Sequence, residues 1–412
     1  MKRVVITGIG AVTPLGNTFC DSWEAAKKGL SGVGPVTRFE TANLPWKAAG
    51  EVKGFDADAY LSVREQRRLD LFGVYAVAAA VMAVQDAGLA QHPDYLASGG
   101  VIIGSSRGGI STLEKAFSCN TKGNGKKRLT PYLMPATTIS TASSYVAQKL
   151  GIKGHCLGIS NACASGASAI GEAYRAIRGG YAGPMLAGGS EAPLCRSCFD
   201  GYGVAGALSK YAGPFASRPF DRARDGFVLS EGACVMVLEE MERAVKREAA
   251  IIGEIRGYAG SCDAFHQTRP EADGEKRAML AAIRDAGLTP GDIDYISAHA
   301  TSTPLGDRVE TEALKRVFGK RTDAVPVSAI KSMTGHILAA SGALETAFAA
   351  MSVKEGIIPP TINLGEKDRE CGLNVVTQVA KREIKYALTG SYGFGGVNAV
   401  LVLGRPPTES LS

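Results

Sequence analysis

Short apolar runs alternate with longer segments of helical period along this chain. Residues 3–9, 99–104, 184–187, 232–239, 251–259, 293–298, 325–329, 385–391 and 397–403 are compact stretches of valine, isoleucine, leucine, alanine and glycine with few charges. Runs of that length without polar alternation predict strands buried on both faces. Residues 23–28, 64–89, 242–249, 275–286, 308–318 and 342–354 instead predict helices. In 64–89 the apolar stripe is Leu69, Phe72, Tyr75, Ala76, Ala79, Met82 and Ala83, and in 342–354 it is Leu344, Ala347, Phe348 and Met351 on one face. Strands alternating with helices predict an α/β fold with mostly parallel sheets. The order of elements starts again near residue 251 without a sequence repeat, which suggests two halves, 1–250 and 251–412.

The stretch 157–180, LGISNACASGASAIGEAYRAIRGG, reads as a strand end running into a helix, with Cys163 at the junction and Gly179-Gly180 as the stop. Ala167, Ile170, Tyr174 and Ile177 mark one helical face and Glu172, Arg175 and Arg178 the other. The first amides of a helix lack internal partners and its dipole favours negative charge there, so this position predicts a stabilised thiolate. Small neighbours (Ala162, Ala164, Ser165, Gly166) leave room for a substrate at the sulfur. A packed, inert cysteine is the alternative.

Composition narrows the classes. The chain has 412 residues, 45% apolar and 21% charged, enough for a sizeable core. Its 51 glycines are roughly twice the usual share and fit tight turns and backbone close to ligands. A net charge of +6 without a long basic tail argues against nucleic acid. Nine scattered cysteines, an odd number, point to reduced thiols and a cytoplasmic setting. Cys195-Arg-Ser-Cys198 is a lone CxxC, so zinc is not expected. The N-terminal apolar run is short and glycine-broken, a buried strand rather than a signal peptide, and no run approaches membrane-spanning length. Two basic clusters stand out: Arg64, Arg67 and Arg68 at the start of the long helical pattern, and Lys126, Lys127 and Arg128 on a polar loop. Each is a solvated face or a docking surface.

Two histidines follow strands: His299 in SAHATSTPLGD and His336 in KSMTGH. Ligands bind beyond the C-terminal ends of strands in open α/β sheets, and Cys163 shares that placement. His92, His155 and His266 lack such context.

Five motifs, in order along nearly the whole chain, now carry a resemblance. They are Ala162-Cys163-Ala164-Ser165-Gly166; Pro219-Phe220-Asp221 with Arg224-Asp225-Gly226-Phe227 and Glu231-Gly232-Ala233; His299 with Thr301, Thr303, Pro304, Gly306 and Asp307; Lys331 with Thr334-Gly335-His336; and Gly393-Phe394-Gly395-Gly396. The chain resembles the condensing enzymes of the thiolase superfamily, most closely the type II β-ketoacyl-[acyl-carrier-protein] synthases. The resemblance implies a duplicated thiolase-like fold, layered α-β-α-β-α around two mixed, mostly parallel sheets. It implies decarboxylative condensation of acyl- with malonyl-[acyl-carrier-protein] in fatty acid elongation, without cofactor or metal. Cys163 is then the nucleophile, and His299 and His336 donate hydrogen bonds to the enolate, each donor worth roughly 3 kcal/mol. The amides of Cys163 and Phe394 hold the tetrahedral oxyanion, and Lys331 keeps the site electropositive with Glu345 as counter-charge. Arg107, Tyr202, Thr301, Thr303, Glu345, Gly393 and Gly395 fall at substrate-binding positions. Arg64, Arg67, Arg68, Lys127 and Arg128 correspond to the face that docks the acidic acyl carrier protein, and a homodimer is expected.

Several residues depart from the family pattern. Arg107 replaces a bulky apolar residue at the acyl pocket, and an unpaired guanidinium is costly beside an alkyl chain. It therefore turns outward, or the acyl substrate is short or polar, as in a ketosynthase of a polyketide or polyene pathway. Ala300, the run Leu338-Ala339-Ala340-Ser341 and Val397 also differ, without removing a reacting group. Chain-starting synthases pair Cys-His with Asn, thiolases use a second cysteine, and silent chain-length partners lack the nucleophile. The Cys-His-His set disfavours all three.

Overall fold

The structure, a computed structural model, describes residues 1–122 and 129–405, with 119–122 described by backbone alone. The main sheet takes β1 (Val4–Val12), β2 (Gly100–Gly104), β3 (Cys156–Ile159), β4 (Met185–Glu191) and β5 (Gly232–Glu240) from the first half. From the second it takes β6 (Gly253–Cys262), β7 (Tyr295–Ser297), β8 (Pro326–Ser328), β9 (Tyr386–Gly393) and β10 (Val397–Gly404). The spatial order is β3-β2-β4-β5-β1, then β6-β10-β9-β7-β8, with Asn374–Val375 on the far edge. Each half therefore places its third, second, fourth, fifth and first strands side by side, a repeat that no sequence similarity announces.

The pairing is more mixed than the sequence suggested. Strands β4-β2-β3 and β9-β7-β8 are parallel, as their helical crossovers require. The inner ladders β1-β5-β4 and β6-β10-β9 are antiparallel. The two half-sheets also join, through a short antiparallel ladder of Val4–Ile6 against Gly253–Ile255.

Five helices set the layers: α1 (Leu71–Asp86), α2 (Ser165–Arg178), α3 (Ala272–Asp285), α4 (Pro304–Phe318) and α5 (Ala339–Glu355). Helices α2 and α5 pack together between the half-sheets and share one core with β1, β5, β9 and β10. Helix α1 covers the outer face of the first half, and α3 and α4 that of the second. This is the expected α-β-α-β-α layering. Helix α5 is buried on nearly every side rather than along one stripe, because it has a sheet above and below. Glycines permit the closest approach of α1 to β1. A Cβ on Gly8 or Gly10 would lie 2.3 Å from the Ala83 carbonyl oxygen or 2.0 Å from that of Ala79.

One predicted helix is broken. Residues 64–89 form a short turn, Val63–Gln66, closed by a capping box between Ser62 and Glu65, before α1 starts at Leu71. Asp70 caps α1 by accepting the Phe72 amide at 3.1 Å and also accepts the Thr112 amide at 2.9 Å. An N-cap carboxylate ends one helix and begins the next whatever the apolar period across it. Arg64, Arg67 and Arg68 thus belong to a surface turn.

Candidate active site

Strand β3 ends at Ile159, and a tight turn carries Cys163 to α2, which begins at Ser165, two residues later than the sequence suggested. Ala162 has φ 47°, a left-handed conformation costing an alanine roughly 1 kcal/mol or more. Ser165 holds this turn: its hydroxyl accepts the Asn161 amide at 2.8 Å and donates to the Ala162 carbonyl at 2.6 Å. Gly393, ending β9, lies against it. A Cβ there would sit 2.9 Å from the Asn161 oxygen and 3.2 Å from the Cys163 nitrogen. That closeness brings the Phe394 amide to the sulfur.

His299 follows β7, and its amide and that of Ala300 each donate to Glu310 of α4 at 2.8 Å. His336 is clipped to residues 228–230, its amide donating to the Val228 carbonyl at 2.7 Å and its carbonyl accepting the Ser230 amide at 3.0 Å. These anchors bring the three side chains together. His336 Nε2 is 3.0 Å from Cys163 Sγ, and the imidazole centroids are 5.4 Å apart at 87°. Lys331 lies beneath, 1% exposed; its ammonium donates to the His299 carbonyl at 2.6 Å and to Glu345, and stands 3.2 Å from His299 Nδ1.

Electrostatics set the protonation states. Burial, then the Lys331 charge, hold both histidines well below the ordinary imidazole range, so each is neutral. Burial pushes Cys163 up to about 11, against the opposing pull of Lys331. The resting sulfur is therefore a thiol, contrary to the expectation from the helix start. Desolvation outweighs the dipole because α2 begins beyond Cys163. Burial also raises Glu310 to about 7 and Asp307 to about 6.

Cys163, His299 and His336 open onto one cavity of about 490 Å³. Of the expected substrate-binding residues, Tyr202, Thr301, Thr303, Gly393 and Gly395 line it, as does Phe394. Arg107 and Glu345 do not. The Arg107 guanidinium turns to Tyr202, donating from Nε to the phenol oxygen at 2.9 Å with its carbon 5.4 Å from the ring centre, and remains exposed. It thereby keeps water and a phenol for partners instead of an apolar wall. Glu345 lies below the cavity, in its ion pair with Lys331. Arg64, Arg67 and Arg68 line a separate surface groove with Thr130 and Tyr132. Lys127 and Arg128 lie outside the described residues.

Supporting residues escaped the sequence reading. Glu310 is one; its place beside Ala313 and Leu314 on the buried face of α4 is the signal that marks it. Glu191 is another: it accepts from the Ser105 hydroxyl and the amides of Ser106 and Arg107 at 2.7–2.9 Å, fixing the glycine-rich turn after β2.

A repeated αβ half, a cysteine on a strained turn and two neutral imidazoles over one cavity define a thiolase-type condensing enzyme. Residues 1–244 match the beta-ketoacyl synthase N-terminal domain and residues 252–365 its C-terminal domain, and the chain belongs to the beta-ketoacyl synthase family. It is 43% identical over 405 residues to a 3-oxoacyl-[acyl-carrier-protein] synthase 2 of Synechocystis sp., covering 97% of each chain. Among solved structures it superposes on the ishigamide ketosynthase/chain length factor with a TM-score of 0.93 at 34% identity, covering 98% of this chain and all of the other. A type II polyketide ketosynthase solved with its acyl-carrier protein and a hexaketide gives a TM-score of 0.89 at 34% identity, covering 98% and 100% of the two chains.

Proposed function

We propose that this chain condenses acyl-[acyl-carrier-protein] with malonyl-[acyl-carrier-protein] to give 3-oxoacyl-[acyl-carrier-protein], carbon dioxide and free carrier protein, in fatty acid elongation. The observation that carries this reading is the cysteine sulfur 3.0 Å from one neutral imidazole, with a second imidazole 5.4 Å from the first. Cys163 attacks the acyl thioester, and the phosphopantetheine thiol leaves with the proton of the cysteine. Malonyl then loses carbon dioxide, and the electron pair of the broken bond passes into an enolate. Neutral imidazoles suit this step, since each donates a hydrogen bond to the enolate oxygen. The enolate carbon attacks acyl-Cys163, the amides of Cys163 and Phe394 hold the tetrahedral oxygen, and the sulfur departs as a thiolate that takes up a proton from water to restore the resting thiol. Lys331 positions His299, and the cavity-lining threonines meet the arm that carries the substrate. No step calls for a cofactor or metal.

Replacing either His299 or His336 with alanine is expected to slow malonyl decarboxylation about 100-fold. Carbon dioxide release from malonyl-[acyl-carrier-protein] measures it, and wild-type rates in both variants would sink the enolate role.

The halves 1–250 and 251–412 belong to this reading, one bringing the sulfur and the other the imidazoles; the repeated strand order supports them. So does a cytoplasmic homodimer: the described cysteines are unpaired, and β3 leaves an open sheet edge with Leu157 exposed. No helix among the described residues is long and apolar enough to cross a membrane. The docking face for the acidic carrier protein comprises Arg64, Arg67 and Arg68, with Lys127 and Arg128 assigned to it by sequence. Arg68 stacks 4.9 Å over Tyr132 and so presents a fixed charge. Interface charges of this kind govern encounter and register. Arg67→Glu/Arg68→Glu is expected to raise the Michaelis constant for carrier-protein substrates about 10-fold while sparing small thioesters. An equal loss on both would refute docking here.

A second reading, a polyketide or polyene ketosynthase, is favoured by the likeness to the type II polyketide ketosynthase above, at a TM-score of 0.89 and 34% identity. Arg107, turned outward to Tyr202 and outside the cavity lining, does not separate the two readings.

A further inference from the structure

We propose that Ser341 is a positioning residue that locks His336 in the tautomer protonated on Nε2, making that nitrogen a fixed hydrogen-bond donor to the sulfur and the cavity. The inference deepens the condensation reading above and rests on it for the step that the donor serves.

Ser341 is the third residue of α5 and is 3% exposed. Its Oγ accepts the Ile337 amide at 2.9 Å and stands 3.0 Å from His336 Nδ1. A hydroxyl has one proton and two lone pairs. The Ile337 amide occupies one lone pair. Among the described residues, the acceptor within reach of the hydroxyl proton is Nδ1. With the imidazole proton on Nδ1 instead, Ser341 would accept twice and leave its own buried O–H without a partner. A buried donor with no acceptor is disfavoured by about tenfold or more. The hydroxyl therefore donates to Nδ1, and the imidazole proton resides on Nε2, 3.0 Å from Cys163 Sγ.

His299 reaches the same tautomer by another route. An ammonium only donates, and Lys331 Nζ stands 3.2 Å from His299 Nδ1, so that ring also carries its proton on Nε2. One donor of the pair is fixed by a cation and the other by a neutral hydroxyl. The hydroxyl is in turn fixed by a main-chain amide, which leaves it no choice of rotamer. Around Ser341 the chain offers only Ala339, Ala340, Gly342 and Ala343, so no neighbour in that run supplies a substitute hydroxyl. The arrangement also settles the direction of the contact with the sulfur. Nε2–H donates and Sγ accepts, so His336 is not the base that draws off the thiol proton.

The test uses the full-length enzyme with 15N-labelled histidine, the His336 signals being assigned by their loss in His336→Gln. In the wild type, Nε2 is expected to show a bonded proton and Nδ1 none. Ser341→Ala should shift the ring toward a tautomer mixture and slow malonyl decarboxylation about 10-fold. Acyl transfer to Cys163, read by intact mass, should change less than threefold. Ser341→Thr, which keeps the hydroxyl, should restore both the tautomer and the rate. A wild-type His336 protonated on Nδ1 overturns the proposal, and so does a Ser341→Ala enzyme with unchanged tautomer and rate. The nitrogen signals do not depend on turnover. A wild-type enzyme that fails to decarboxylate malonyl carrier protein would therefore remove the condensation reading while the tautomer is still read directly.

Discussion

The Cys163→Ala enzyme is expected to take up no acyl group from any acyl carrier protein, while still releasing carbon dioxide from malonyl carrier protein. The two halves of that result have separate causes. Acyl transfer needs a soft nucleophile that is also a leaving group, and Cys163 is the cysteine that opens onto the cavity shared by both imidazoles. Decarboxylation needs the donors on His299 and His336, which the substitution leaves in place. Intact mass after exposure to carrier proteins of graded chain length gives the readout. In the wild type it also reports which acyl lengths are accepted, and a preference for polar chains would favour the polyketide or polyene reading. Any acyl mass on the alanine variant at another residue removes Cys163 as nucleophile. The pH dependence follows from burial. With the thiol pushed up to about 11, the thiolate fraction, and with it the acylation rate, should rise about tenfold per pH unit through the neutral and mildly alkaline range. A rate independent of pH there would mean the sulfur is already an anion.

That thiol shows where the sequence stops being readable. Helix-start chemistry is local, and it correctly put a cysteine between β3 and α2. Desolvation is not local: the Gly393–Phe394 loop and the His336 imidazole, both distant in sequence, close on the sulfur, and burial reverses the expected charge state. The same division runs through the fold. Strands buried on both faces were legible because they carry no polar alternation, as with β1 and β5. The strand expected over 184–187 runs on through residues 188–191 to the end of β4, where a Cβ on Gly189 would sit 2.6 Å from the Ala339 carbonyl oxygen. Glycine there serves helix contact rather than turning. Helix Ile110–Lys122 went unseen, and so did Thr141–Leu150 and Arg196–Val204, where serines, threonines and glycines blur the period. In the site, Cys163, His299 and His336 were visible by their places at strand ends. Glu191 and Glu310 were not, because each acts on a partner brought to it by the fold, and Ser341 stood out only as part of a run that departs from the family pattern.

Lys331→Met is expected to destabilise the protein at pH 8 by about 1 kcal/mol more than at pH 5, because removing one partner of a buried ion pair leaves the other charge uncompensated. Both side chains are essentially without solvent contact, and Glu345 Oε2 has no hydrogen-bond partner to take up the deficit. The loss should depend on pH in a definite direction. Burial raises the Glu345 carboxyl to about 7 from an ordinary 4.5, and Lys331 opposes that rise. Between those values the folded wild type binds more protons than the unfolded chain, so this group's contribution to stability falls as pH rises. Without Lys331 the carboxyl climbs past 7 and the decline continues to higher pH, at up to roughly 1 kcal/mol per unit. The deficit of the variant should therefore be small near pH 5, where Glu345 is neutral with or without the lysine, and grow through pH 8. Urea unfolding of both proteins across that range measures it, and an equal deficit at pH 5 and 8 refutes the assignment of the cost to Glu345. Lys331→Met/Glu345→Leu should recover most of the stability and lose the pH dependence, since an apolar pair carries no buried charge. Activity should stay low in the double variant, because His299 Nδ1 has still lost the ammonium that keeps its proton on the cavity side. Stability and catalysis would then separate at one residue: an apolar pair can fill the core in place of the ion pair, but only the lysine supplies the contact with His299.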